Sequence, residues 1–217
     1  MNIKWHGQSC FSINSSRGKD GDINIVIDPY DESTGLKLPK LEADVVFVTH
    51  DHNDHNNAKA VSGSPFLVEG PGEYEVKEVF ANGIPSFHDE NGGKTKGGNT
   101  IYTIETEELK ICHLGDLGQK ELTSEQIEQI GDVDILMIPV GGNFTISAKE
   151  AGKIMAQLEP SIVIPMHYSI PKLKMKLDSV DSFLKAVGVK KSEALPKFSV
   201  KKKDLGTEET KVIILAP

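Results

Sequence analysis

The chain has few cysteines and no long apolar run. Its only two cysteines in 217 residues, Cys10 and Cys112, lie far apart, so we expect them to be reduced and to form no thiolate metal site. No stretch approaches the roughly 18 consecutive apolar residues that a membrane-spanning helix needs. The first residues, Met1 to Trp5, contain no apolar signal core. These absences predict a cytoplasmic protein that does not cross a membrane.

An excess of basic residues is also absent. The formal charge is −8, from 24 Lys and Arg against 32 Asp and Glu. Nucleic-acid phosphates require a basic face, so the composition disfavours a nucleic-acid partner. With 38% hydrophobic residues the chain is long enough to bury one large core, and we predict a single domain over residues 1–217. The composition is compatible with a homo-oligomer.

The chain is rich in potential metal ligands in one short segment. A β-branched and aromatic run, Val45 to Val48, predicts a buried strand, and four ligand-type residues follow it directly: His50, His52, Asp54 and His55. Imidazole and carboxylate together suit zinc, with manganese or iron as alternatives. The other interpretation is a solvated loop that is His-rich by chance. The density of ligand types at a strand end favours a metal site.

The spacing within this segment predicts two metals. His50 and His52 are two positions apart, so in extended backbone they point to one side and can share an ion. Asp54 and His55 are adjacent and project differently, so a second metal would accommodate them. The arrangement differs from H-E-x-x-H, in which a helix aligns two histidines and a Glu acts as base.

Three other predicted strands end at ligand-type residues, which are His88, Asp116 and His167. His113 competes with Asp116, but it lies within a strand and three positions away, so it should point to the opposite face. His6, alone in a small-residue loop, is better explained as a packed or surface side chain.

Strands dominate the first half of the chain, and strand–helix alternation the second, with helices predicted from Ser124, Ser147 and Val180. Two mixed sheets with helices on their outer faces would bury these runs.

The pattern His50-x-His52-x-Asp54-His55 resembles the H-x-H-x-D-H signature of the metallo-β-lactamase-fold hydrolases. Ser86-Phe87-His88-Asp89, Leu114-Gly115-Asp116 and Pro165-Met166-His167-Tyr168 match later segments of that family. The resemblance covers essentially the whole chain and is nearest to the stand-alone zinc-dependent hydrolases that include L-ascorbate-6-phosphate lactonase. It implies an α/β fold, the four-layer αββα sandwich, with the loop around Gly7 and Gln8 near the metal centre.

The resemblance also implies the ligand sets. His50, His52 and His88 would hold one divalent ion, and Asp54, His55 and His167 a second, with Asp116 shared. Zinc is the expected metal, with manganese or iron as alternatives. Between two such ions a water loses its proton near neutral pH and attacks an ester, lactone or phosphodiester bond. We assign Asp54 to orient this nucleophile. A non-catalytic metal-binding scaffold and a nuclease-type phosphodiesterase are the alternative functions.

Two further segments bear on the substrate. Residues 167–203 contain ten lysines against Asp178, Asp181 and Glu193, a local balance of +7 in a chain whose remainder carries −15. This balance predicts a small anionic substrate, contacted by the 172–176 segment that includes Lys172 and Lys174; a solvated basic face is the alternative. The glycine-rich stretch 92–98 lacks the context of a phosphate-binding loop, so we expect it to cover or border the site.

Overall fold

Two mixed β-sheets pack face to face in the computed structural model, which describes residues 1–16, 18–206 and 209–217. The first sheet has the order β14 (Phe198–Ser199), β1 (Asn2–Trp5), β2 (Phe11–Ser16), β3 (Asp22–Ile27), β5 (Val45–Val48) and β7 (Phe66–Glu69). The second has the order β15 (Lys211–Val212), β13 (Ile162–Met166), β12 (Ile135–Pro139), β11 (Leu109–His113), β10 (Gly98–Thr106), β9 (Val79–Phe87) and β8 (Gly72–Val76). A short ribbon joins β4 (Leu41–Glu42) to β6 (Val61–Ser62).

The main core lies between the two sheets. In β2 the buried Phe11 and Ile13 alternate with half-buried polar residues, as expected for a strand with one covered face. Phe47 of the first sheet meets Tyr102 of the second, with ring centroids 5.1 Å apart. Each fully buried large apolar side chain contributes about 1.5–3 kcal/mol relative to exposure. Strands β12 and β13 are buried along their whole length because helices cover their second face.

All three predicted helices are present: α1 (Ser124–Ile130), α2 (Ala148–Leu158) and α3 (Val180–Ala186). Capping boxes start α1 at Thr123 and α2 at Ser147. Helix α2 turns Ala151, Ile154 and Leu158 toward the core. Within the described ranges, none of the helices has the length and apolarity needed to cross a bilayer.

Two short elements complete the fold. A single 3-10 turn, Ala58–Ala60, covers the outer face of the first sheet around Val26, Val46 and Val48 together with β4 and β6. The last strand, β15, is limited to Lys211–Val212. Beyond it Leu215 forms an isolated bridge with Leu195, whose amide donates to the Ile214 carbonyl at 2.9 Å.

The strand directions place the candidate site. β9 and β11 both run antiparallel to β10, and β12 and β13 run parallel to β11, so β9, β11 and β13 all end at the same edge of the second sheet. His88, Asp116 and His167 follow these three ends. The loop after β5 brings the 50–55 segment of the first sheet to the same edge.

Candidate metal centre

Seven ligand-type residues from four strand ends converge at this edge in two groups. The candidate ligand atoms within each group lie within 4.8 Å of one another. The first group consists of His50, His52 and His88, and the second of Asp54, His55, Asp116 and His167. These are the seven residues named from the sequence, divided as the family resemblance implies.

Asp116 stands between the two groups. Its Oδ1 lies 3.3 Å from Nε2 of His55, and its Oδ2 lies 3.2 Å from Nε2 of His167. The same Oδ2 is 3.4 Å from Nε2 of His88, in the first group. One carboxylate therefore approaches histidines of both groups, which is the arrangement a shared ligand requires.

The backbone of the 50–55 segment differs from the sequence prediction. It is a tight turn and not an extended strand, since the amide of His52 donates to the His50 carbonyl at 3.1 Å and the amide of His55 to the His52 carbonyl at 2.8 Å. The premise that His50 and His52 share a side of an extended chain was wrong. The turn still brings their rings together, with centroids 4.6 Å apart.

The unpaired atoms of the centre fit metal binding. Buried ring nitrogens of His50, His55, His88 and His167 have no hydrogen-bond partner among the described residues. Buried polar atoms are normally paired, so several orphans in one place indicate a missing partner. Imidazole nitrogens and carboxylate oxygens without thiolates are a donor set suited to zinc and other divalent ions.

Two neighbours fix the ring orientations. Nδ1 of His50 lies 3.0 Å from the Thr49 hydroxyl, and Nδ1 of His55 lies 2.8 Å from Oδ2 of Asp28, which leaves Nε2 of each ring unpaired. Such outer partners are typical of metal-binding histidines. Asp28 is not among the residues identified from the sequence. Its signal is an acidic residue at yet another strand end.

The ionisable groups of the centre lie close enough together to shift one another's pKa values. Burial, together with the nearby His55, lowers the pKa of His50 to about 3, so this ring is neutral at neutral pH. Burial opposes ionisation of Asp116, but His167 and His55 hold the pKa of its carboxyl well below the usual value. Burial also disfavours charge on His55, yet Asp116 and Asp28 raise the pKa of His55 well above its usual value. The protein without metal thus compensates its buried carboxylates with a histidine cation.

The two other histidines are engaged elsewhere. His113 is fully buried, its Nε2 lies 2.9 Å from the Ser9 carbonyl and its Nδ1 accepts from the Gly115 amide at 3.1 Å. Both ring nitrogens are therefore occupied. His6 pairs through Nε2 with the Ser12 hydroxyl at 2.8 Å.

The glycine-rich stretch borders the centre, as predicted. The Asp89 carboxylate, directly after His88, accepts four backbone amides of this loop, from Asn91, Gly93, Thr95 and Lys96. These bonds, that from Lys96 foremost, lower the pKa of Asp89 to about 2. Lys96 in turn donates through Nζ to the Phe144 carbonyl at 2.6 Å. The loop is thereby tied to the segment that follows β12.

The 172–176 segment also lies against the centre. Sδ of Met175 is 2.9 Å from Nε2 of Gln8, whose amide contacts Asp54. Lys172, Lys174 and Lys176 are exposed and alternate with half-buried residues. In the part of the chain that the structure describes, no carboxylate forms a salt bridge with these three lysines.

Grooves alone would not have located this centre. A groove of about 1070 Å³ lies beside α2 and is lined by Asp134 and Lys202, away from the histidines. A smaller one of about 420 Å³ is lined by Thr49, His50 and Asp51. The orphaned nitrogens, and not cavity size, identify the site.

Comparisons with known proteins point to one family. The model of the beta-lactamase superfamily domain matches residues 2–167. A UPF0173 metal-dependent hydrolase of Thermococcus onnurineus is 31% identical over 196 residues, covering 78% of this chain and 85% of the relative. A crystal structure from Thermotoga maritima, assigned by its name to the Zn-dependent hydrolases of the metallo-beta-lactamase superfamily, has a TM-score of 0.79 and 36% identity over 99% of this chain and 97% of that one. The predicted fold class is confirmed by these matches.

Proposed function

The chain belongs to the metallo-β-lactamase superfamily and is a metal-dependent hydrolase, and from this premise we propose that it cleaves an ester, lactone or phosphodiester bond of a small anionic molecule at a centre of two divalent ions. One observation carries the proposal: seven ligand-type side chains form two groups that meet at Asp116. The named relatives are hydrolases, so the interpretation as a non-catalytic scaffold is set aside.

We assign His50, His52 and His88 to one ion and Asp54, His55 and His167 to the other, with Asp116 shared. The donor set supports zinc, as does the name of the Thermotoga maritima relative, with manganese or iron as alternatives. When bound, two such ions supply an ionised water as nucleophile and polarise the scissile carbonyl or phosphoryl oxygen.

Asp54 has the environment of a group that orients the nucleophile. It is half-buried, and Gln8 donates to its Oδ2 at 3.2 Å. Burial opposes its ionisation, but the neighbouring His55 outweighs burial and keeps the pKa of Asp54 low. The residue is therefore a carboxylate at neutral pH and can accept a hydrogen bond from the attacking water.

Three lysines support an anionic substrate, and we call them the rim of the site: Lys172, Lys174 and Lys176. They lie on the segment that touches Gln8 through Met175, and their exposed ammonium groups have no described acidic partner. Lysine is an effective point-charge partner for phosphate or carboxylate. A positive rim also offsets the repulsion that an anion meets from a chain of net charge −8.

The test combines metal analysis with a substrate panel. After reconstitution with zinc and gel filtration, elemental analysis should give two ions per chain. The panel should contain a phosphorylated lactone, a carboxylated ester, a thioester, a small phosphodiester and a single-stranded oligonucleotide, each assayed with metal-depleted enzyme as control. We expect turnover of a small anionic substrate that is lost on chelation and restored by zinc. Fewer than two ions per chain, or rates that chelation leaves unchanged, would contradict the proposal, and preference for the oligonucleotide would identify a nuclease instead.

A further inference from the structure

The turn between β1 and β2 makes hydrogen bonds to the second ligand group, which includes the shared Asp116. Nε2 of Gln8 donates to Oδ2 of Asp54 at 3.2 Å, and the Gln8 carbonyl accepts the amide of His167 at 3.0 Å. The Ser9 hydroxyl donates to Oδ1 of Asp116 at 3.1 Å. All three partners, Asp54, His167 and Asp116, belong to the second group.

The first group has no such tether. Among the described residues, no hydrogen bond joins His50, His52 or His88 to the turn: His50 pairs with Thr49, and the amide of His88 donates to the Gly97 carbonyl. The hydrogen bonds of the turn therefore hold the second group, whereas the first group is held by hydrogen bonds within its own loops.

Gln8 is an unusual residue for this position. Its side chain is fully buried, it adopts φ 49°, and its Oε1 has no hydrogen-bond partner among the described residues. A buried unpaired carbonyl destabilises the fold, which an apolar residue of the same size would avoid. A left-handed backbone at a non-glycine residue destabilises it further. Core packing alone does not account for an amide here, whereas the bond from Nε2 to Asp54 does.

We propose that Gln8 is a positioning residue that sets the metal affinity of the second group alone, by holding the Asp54 carboxylate in the orientation that faces His55 and Asp116. This inference rests on the proposed two-ion centre. Loss of an outer partner of a metal ligand lowers metal affinity by about 10- to 100-fold. Removing the Gln8 amide should therefore weaken one zinc site by that factor and leave the other unchanged.

The experiment is a zinc titration of metal-free protein by calorimetry, with chelator competition for the tighter site. Gln8→Met keeps the length of the side chain and removes both polar atoms. We expect two binding steps in the wild type and, in the variant, one step of unchanged affinity and one weakened by about 10- to 100-fold. Gln157→Met is the matched control. Gln157 lies on helix α2, and its side-chain amide exchanges two hydrogen bonds with the backbone of Leu122. This control variant should lower the unfolding temperature and alter neither zinc step.

If Gln8→Met does not fold, Gln8→Leu carries the test, since it also removes the donor to Asp54 and adds neither a charge nor a ligand atom beside the ions. Zinc affinities equal to those of the wild type, or equal weakening of both steps, would overturn the assignment and reduce Gln8 to a structural residue. A wild type that binds fewer than two zinc ions would instead overturn the proposed function.

Discussion

The carboxylate of Asp28 lies 2.8 Å from Nδ1 of His55, and both side chains are completely inaccessible to solvent. The same carboxylate accepts the amide and the hydroxyl of Thr49, at 2.8 and 2.7 Å. When a metal takes the place of the proton on Nε2, the Nδ1–H of His55 would still donate to Asp28 and hold the ring with Nε2 directed at the ion. Asp28, at the end of β3, thus orients the candidate ligand His55, which lies 27 residues further along the chain.

Asp28→Asn should lower zinc affinity by about 10- to 100-fold, because an amide offers a single acceptor oxygen where three donors now converge. If the amide nitrogen donates to Nδ1 of His55, the ring proton moves to Nε2 and blocks the ligand atom. Competition against a chromophoric chelator measures the effect. Asp181→Asn, which alters an exposed carboxylate paired with Lys191, serves as control and should behave as wild type. Unchanged affinity in Asp28→Asn would contradict the role assigned to this contact.

His52→Ala should abolish hydrolysis and leave the fold intact. His52 is exposed, and its side chain makes no hydrogen bond among the described residues, so its removal leaves no buried group unpaired. Open catalytic metal sites contribute less to folding than closed structural ones. Circular dichroism and thermal unfolding of the metal-free protein should match the wild type, while turnover and bound zinc fall. Asp116→Ala should also lose turnover, and activity retained there would show that the shared carboxylate is misassigned.

His113→Ala should lower the stability of the fold and keep most of the bound metal. It removes a fully buried ring that pairs with Ser9 and Gly115 and packs edge-on against Phe11, with ring centroids 5.8 Å apart. Two unpaired backbone groups and a cavity should cost about 3 kcal/mol in the free energy of unfolding. Urea unfolding checks the stability, and elemental analysis of the folded variant should still find most of the metal. Loss of zinc at unchanged stability would identify His113 as a ligand.

The strand ends that carry the site were predictable, because ligand-type residues interrupt apolar runs at His50, His88, Asp116 and His167. The apolar runs themselves specify the strands, since only burial between two sheets satisfies them. The turn geometry of residues 50–55 was not predictable from spacing, because hydrogen bonds within the loop, and not strand periodicity, set it. The hydrogen bonds from Asp28 and Gln8 to the ligand residues were not predictable for a related reason. They join residues 27 and 46 positions apart, and local sequence patterns do not specify such long-range contacts.

Substituting Lys172 and Lys174 by Gln should raise KM for an anionic substrate about five-fold and spare a neutral ester, because two positive charges leave the rim while the centre is untouched. The geometry makes this a demanding test, since Met175, which lies between Lys174 and Lys176, turns toward Gln8 while the lysines are exposed. Their ammonium groups must therefore act on the approaching anion at a distance, and the effect should shrink as ionic strength rises. Lys149→Gln with Lys153→Gln removes the same charge from the α2 groove that Asp134 lines, and is the matched control. Initial rates at two salt concentrations decide the matter: an equal change on both substrate types, or an equal effect of the control pair, would show that Lys172 and Lys174 form only a solvated basic face.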